Sequence, residues 1–186
     1  MFFPQAIPEV ILVKPKRHED ARGYFAETFH AERFAAGGVA GPFVQDNCSL
    51  SRQQGVIRGL HFQIPPAPQA KLVRCARGAI LDVAVDIRAG SPTYGRHVAA
   101  ELTADNGWQL YVPVGFAHGF ATLTPDAEAH YKVSGYYAPD CDRGVAFDDP
   151  ALAIAWPVDR SSAVLSDKDR ALPRLADLPS FFRYGA

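Results

Sequence analysis

Methionine is nearly missing from this chain and cysteine is scarce: one methionine and three cysteines in 186 residues. Cys48, Cys75 and Cys141 are odd in number and show no CxxC spacing. They read as reduced thiols of a cytoplasmic protein, not as a disulfide framework or a zinc site. An excess of either charge is also absent: nineteen basic and twenty acidic residues leave a net charge of −1, which argues against non-specific binding to nucleic acid or an anionic membrane surface. No apolar run approaches membrane-spanning length. The first residues, MFFPQAIPEVILVKPKRHED, hold Pro4 and Pro8 within their apolar part and place the basic residues after it, the wrong order for a signal peptide. No repeat, linker or low-complexity tract divides the chain, so residues 1–186 are expected to form one domain.

What the sequence does have is strand patterning and punctuation. Fifteen prolines and fifteen glycines are spread throughout, which suits short strands joined by turns. In Ala79–Ile87, Leu81, Val83, Val85 and Ile87 share one face while Asp82, Ala84 and Asp86 share the other. Further strands are expected over Val10–Val13, Gly23–Thr28, Leu72–Ala76, His97–Thr103, Gln109–Pro113, His118–Leu123 and Ala129–Tyr137. Helical stretches are few: His30–Ala36, stopped by Gly37-Gly38, and a short piece around Ser166–Leu172. The expectation is an all-β jelly-roll sandwich or barrel, in which two sheets closing over one core shield most strand edges.

Two segments carry the chemistry. The first runs Gly55-Val-Ile-Arg58-Gly-Leu-His61-Phe-Gln63 and continues at Lys71-Leu-Val-Arg-Cys-Ala-Arg-Gly78; the second is Gly107-Trp-Gln-Leu-Tyr-Val-Pro113-Val-Gly115-Phe-Ala-His118. Together they resemble the two cupin motifs, glycine–x5–H-x-H followed by E-x6-G, and later G-x5-P-x-G-x2-H. In metal-binding cupins the histidines and the glutamate are ligands. Here the second histidine is replaced by Gln63 and the glutamate by Lys71, with a longer interval between them. An ammonium in a ligand position opposes a divalent cation, and two imidazoles alone make a poor site. No metal or other cofactor is therefore expected for this protein. An imidazole, an amide and two cations (Arg58 and Lys71) would be costly to bury in a structural core, and an anionic ligand would account for them.

A narrower resemblance covers nearly the whole chain. The segments Asp20-Ala-Arg22-Gly23-Tyr-Phe25-Ala-Glu27, Phe43-Val-Gln45-Asp46-Asn47-Cys-Ser49, Arg58-Gly-Leu-His61-Phe-Gln63, Asp82-Val-Ala-Val-Asp86-Ile-Arg88, Gly115-Phe-Ala-His118-Gly-Phe120, Tyr131-Lys132, Gly135-Tyr-Tyr137 and Leu165-Ser-Asp-Lys168-Asp169 are similar, in this order, to dTDP-4-dehydrorhamnose 3,5-epimerases. The resemblance implies a cytoplasmic homodimer acting on dTDP-4-dehydro-6-deoxy-D-glucose, with no nucleic-acid or membrane partner. It implies that His61 is the proton acceptor, Asp169 the carboxylate orienting it, Tyr131 the proton donor, and Tyr137 the ring that stacks on thymine. Arg22, Phe25, Glu27, Gln45, Asn47, Arg58, Lys71, His118, Asp142 and Lys168 match positions that contact the nucleotide sugar. Asp142 stands where glutamate is common, one methylene shorter. Asp167 is the alternative partner for His61 if the C-terminal register slips.

The chemistry needs these groups. Removing a proton beside a ketone calls for a base on one face, stabilisation of the enolate oxygen, and an acid on the other face. A histidine titrates near neutrality, and such general base catalysis contributes on the order of 10²–10⁴ in rate. Lys71, in the vacated ligand position, offers the charge for the oxyanion, a contribution of about 3–4 kcal/mol. Two rivals stay open: a mono-epimerase or 3,4-ketoisomerase, and a non-catalytic sugar-binding cupin. A metal-dependent oxygenase is a distant third.

Overall fold

Residues 1–185 are described by a computed structural model. Its strands run β1 (Phe2–Pro4), β2 (Ile11–Val13), β3 (Arg17–Asp20), β4 (Gly23–Ala26), β5 (Gln45–Ser51), β6 (Ile57–Gln63), β7 (Lys71–Arg77) and β8 (Ala79–Asp86). They continue as β9 (Arg88–Ala89), β10 (His97–Thr103), β11 (Gln109–Val112), β12 (Phe116–Thr122), β13 (Ala127–Val133), β14 (Asp142–Gly144) and β15 (Phe182–Arg183). Two short helices, α1 (Ala31–Ala36) and α2 (Asp167–Arg170), complete the regular structure with a few 3₁₀ turns.

Eleven of these strands build two antiparallel sheets, while β3–β4 and the parallel pair β9–β15 stand apart. One has the order β1-β2-β11-β7-β13-β5 and the other β10-β8-β12-β6-β14. Leu12, Val73, Leu110 and Val112 of the first sheet meet Ile80, Ala84, Val98, Leu102 and Phe120 of the second in the main core. This is the expected jelly roll, and burial of these side chains supplies its main driving force. The outer faces are covered as well. Phe34 of α1 packs on Ile11, Val13 and Tyr111, while Leu152 and Leu175 from the C-terminal third cover Leu60, Val83, Val85 and Ile87. The alternation expected in β8 is present, but both of its faces are buried. The face of Asp82 and Ala84 looks into the sandwich, and the apolar face is roofed by the C-terminal segment.

Boundaries shifted where local hydrogen bonding competes with the ladder. The strand expected to reach Tyr137 stops at Val133. There the Ser134 hydroxyl accepts from the Ala70 N–H at 2.8 Å, and the Gly135 carbonyl accepts from the Gln69 amide at 2.7 Å, turning the chain along the rim of the sandwich. His30 is the N-cap of α1 and not its first turn: its Nδ1 accepts from the Arg33 N–H at 3.5 Å.

Candidate active site

One end of the sandwich is open between β5, β7 and β13 on one side and β6 and β12 on the other. A cavity of about 430 Å³ there is lined by Ser49, Arg58, His61, Lys71, His118, Tyr131, Ser166 and Asp169, among others. A second of about 310 Å³, lined by Gln45, Asn47, Gln63, Tyr137 and Asp142, shares His61, Lys71 and Tyr131 with it. The two are lobes of one cleft.

Local geometry explains how the histidines reach it. His61 and His118 are register partners on β6 and β12. Next to them the ladder shifts register, between His118 and Phe120. Gly59 sits at φ +118, and a Cβ there would lie 2.7 Å from both the Gly119 Cα and the His118 carbonyl. Only glycine permits this approach of the two strands. Asp169 arrives from the far end of the chain. Its N–H is bonded to the Ser166 hydroxyl at 3.1 Å, and the following segment is anchored by buried Leu175, whose N–H donates to the Asp149 carboxylate at 2.7 Å. Leu172 lies where a Cβ on Gly144 would be, so glycine is required at that contact too.

His61 Nε2 and Asp169 Oδ1 are 2.5 Å apart. Burial pushes the Asp169 carboxyl up, but the bond from His61, the charge of His61 and the bond from Ser166 together hold it below the usual range. An ionised Asp169 can only accept, so it fixes the proton on Nε2 and leaves Nδ1 with a free lone pair. Asp167 is exposed and makes no such bond; Asp169 is the partner. Tyr131 comes from β13 of the opposite sheet, and burial raises its phenol above the ordinary value, so it stays protonated at rest. Lys71, on β7, lies with its Nζ 3.4 Å from the His61 carbonyl. Burial lowers it to about 8, opposed by the charges of Asp82 and Asp142 and assisted by that of Lys168.

The rim is a second network. Tyr137 is 57% exposed, with its hydroxyl donating to Asp142 at 3.2 Å and its N–H to Gln45 at 3.2 Å. Asp142 also pairs with Lys168, so the shorter carboxylate still reaches its neighbours. The Gln45 amide donates to Asn47 at 2.8 Å. Arg58 crosses from β6 to β5, bonding the Ser51 hydroxyl at 3.1 Å and the Leu50 carbonyl at 3.2 Å. Gln63, standing at a cupin ligand position, is spent otherwise. Its amide donates to the carbonyls of Ala67 (2.7 Å) and Tyr136 (3.2 Å) and accepts from the Ala138 N–H (2.9 Å). It braces the loops around the second lobe and is not free to bind an ion.

Three expected residues are elsewhere. Arg22, Phe25 and Glu27 belong to or follow the β3–β4 hairpin and line neither lobe of their own chain's cleft. Phe25 is 72% exposed, Arg22 pairs with Asp20 at 2.6 Å, and Glu27 pairs with Arg33. The hairpin projects outward, so a single chain does not bring them together with His61. Two residues without an assigned role are found here instead. Among the described residues, the buried side-chain atoms lacking any hydrogen-bond partner are Ser49 Oγ and Asp82 Oδ2. Ser49 lines the cleft, and Asp82, 0% exposed, bonds His118 Nε2 at 2.8 Å through its other oxygen. An unsatisfied polar atom on the cavity wall, Ser49 Oγ, points to a ligand there. The signal for Asp82 was present in sequence, as an acid on the alternating face of the clearest strand.

Comparison with known proteins agrees with this geometry. The family model described as dTDP-4-dehydrorhamnose 3,5-epimerase matches residues 4–177. A dTDP-4-dehydrorhamnose 3,5-epimerase of Sinorhizobium fredii is 52% identical over 185 residues, covering 99% of this chain and 94% of that one. The crystal structure of a Legionella pneumophila dTDP-6-deoxy-D-glucose-3,5-epimerase in complex with dTDP-4-keto-L-rhamnose superposes with a TM-score of 0.94 at 42% identity, covering 100% of this chain and 99% of that one. A 3'-monoepimerase of Streptomyces bikiniensis in complex with dTDP-quinovose gives 0.85 at 41% identity, covering 93% and 87%. With the model match spanning nearly the whole length and relatives aligned end to end, the chain belongs to the dTDP-4-dehydrorhamnose 3,5-epimerase family.

Proposed function

We propose that this chain inverts C3 and C5 of dTDP-4-dehydro-6-deoxy-D-glucose, giving dTDP-4-dehydro-L-rhamnose, by proton abstraction beside the C4 ketone. The observation that carries the reading is the opposition of His61, on one sheet, and Tyr131, on the other, across a cleft that also holds Lys71. His61 Nδ1 takes the proton from the ring carbon. The C–H electron pair moves into the ring and onto the C4 oxygen, where the Lys71 ammonium stabilises the enolate. The Tyr131 phenol then protonates the same carbon from the opposite face, and solvent restores both groups. Because C3 and C5 both flank C4, one base and one acid serve both centres if the ring shifts between steps. Tyr137, Gln45, Asn47 and Asp142 would hold the nucleotide lobe, and Arg58 and Lys168 the diphosphate.

The donor set of His61, an engaged Gln63, Lys71 and His118 suits a metal-free mechanism. The whole of residues 1–186 is taken to work as one domain, in the cytoplasm, where free Cys48, Cys75 and Cys141 would remain reduced. No described helix is long and apolar enough to cross a membrane. We also propose a homodimer. β5 is a free edge of its sheet beside the cleft, and the exposure of the hairpin region with Arg22, Phe25 and Glu27, which line neither lobe of their own cleft, supports this reading.

Incubation with dTDP-4-dehydro-6-deoxy-D-glucose in D₂O, followed by proton NMR, tests the function. Loss of the C3 and C5 proton signals with inversion at both supports it. Change at one centre alone identifies a mono-epimerase, a ketone at C3 a ketoisomerase, and tight binding without exchange a sugar-binding module.

A further inference from the structure

The strands that carry Asn47, Ser49 and Tyr131 into the cleft alternate, so their intervening residues face the other way. On β5 and β13 those residues include Cys48, Glu128 and His130. Cys48 and His130 are direct cross-strand partners, and Glu128 precedes His130 by two positions on the same face. Sheet geometry therefore fixes three different ligand types side by side. Glu128 Oε1 lies 2.6 Å from His130 Nε2 and 3.5 Å from Cys48 Sγ, and the three ligand atoms fall within 4.8 Å of one another.

From this convergence we infer that Cys48, Glu128 and His130 form a binding site for a zinc-class divalent cation on the outer face of the six-stranded sheet. The absence of CxxC spacing in the sequence does not bear on it, because two strands far apart in sequence supply the ligands. Zinc bonds of about 2.0–2.3 Å at a tetrahedral angle require ligand atoms roughly 3.3–3.6 Å apart. Small side-chain rotations reach that geometry from the distances present. Thiolate, carboxylate and imidazole are the donors of zinc and cobalt, whereas magnesium and calcium take oxygen. A thiolate and a carboxylate also neutralise a dication, leaving a fourth position for water. The surrounding cations do not occupy the carboxylate: Arg74 and Arg77 stand opposite His130 and Glu128 on β7 without an ion pair to Glu128, and Lys132 is paired with Asp46 at 2.9 Å.

Tag-free protein stripped with chelator and titrated with Co²⁺ tests the site. The expected result is one equivalent per chain, with a sulfur-to-cobalt charge-transfer band in the near ultraviolet and four-coordinate ligand-field bands, both bleached by Zn²⁺. Cys48→Ser should abolish the charge-transfer band, and both it and His130→Gln should weaken binding at least about 10-fold. Epimerase turnover in both variants should equal the wild type's, which separates lost ligands from a lost fold and keeps this site distinct from the cleft. Absence of stoichiometric binding in the wild type would overturn the inference. So would binding that Cys48→Ser leaves intact, since that would place the ion at His61 and His118 or elsewhere.

Discussion

Two histidine–aspartate pairs stand at the same end of the sandwich, and they differ in what surrounds them. His61–Asp169 joins a strand to the C-terminal segment, and its histidine is open to the cleft (28% exposed). His118–Asp82 joins neighbouring strands of one sheet, with 7% and 0% exposure. Burial lowers the His118 imidazole despite the charge of and bond to Asp82, which favours its neutral form. The same two side chains thus give an open imidazole, which we propose as the base, in one place and a fixed polar wall in the other. What the buried pair contributes is charge: Asp82 keeps one oxygen unpartnered and supports the Lys71 ammonium against burial.

Breaking each pair in turn should separate these roles. His61→Ala is expected to lower turnover by about 10²–10⁴-fold in a folded protein that still binds nucleotide, whereas His118→Ala should cost less than about 10²-fold. Equal losses would erase the distinction. Asp169→Asn should cost up to about 10⁴-fold in kcat, because an amide can donate to Nε2 and force the proton onto Nδ1, the atom that must be free. Unchanged turnover would remove Asp169 from the base. Asp82→Asn should act through pH. In the wild type, kcat/KM should fall as pH rises through about 8, where Lys71 loses its proton. Lys71 is influenced by Asp82, Asp142 and Lys168, with His61, His118 and Tyr131 lining the same cleft. Removing one negative charge leaves burial less opposed, so the limb should move to lower pH; a fixed limb would detach Asp82 from Lys71. The smallest effect is expected from chelation, which should leave turnover unchanged. Loss with recovery on adding Fe²⁺, Mn²⁺ or Zn²⁺ would put an ion in the cleft.

Much of this was legible in the sequence where the two faces of a strand differ in chemical character. β8 announced itself by alternation, and the R-G-L-H and Y-K segments lie on strands that bring His61 and Tyr131 to the cleft. β5 was silent, because Gln45, Asn47 and Ser49 point into a polar cleft while Asp46 and Cys48 point outward. β1, β9, β14 and β15 are two or three residues long, too short for any period to register. Asp169 was found through a motif, not through physics, since nothing local says that a residue 108 positions away will meet His61. Arg22, Phe25 and Glu27 were named as site residues but belong to or follow an exposed hairpin and line neither lobe of the cleft. Asp82 was overlooked because an acid on an alternating strand ordinarily faces water, and here that face is the interior.

The opposed acid and base are tested most directly by Tyr131→Phe in D₂O. With His61 and Lys71 intact, the variant should still form the enolate and return a deuteron from the His61 side. Solvent deuterium should therefore enter recovered substrate at close to the wild-type rate while inverted product becomes scarce. Exchange and inversion lost to the same extent would contradict the account, making Tyr131 a residue that positions the sugar and leaving the second face of the cleft without an acid.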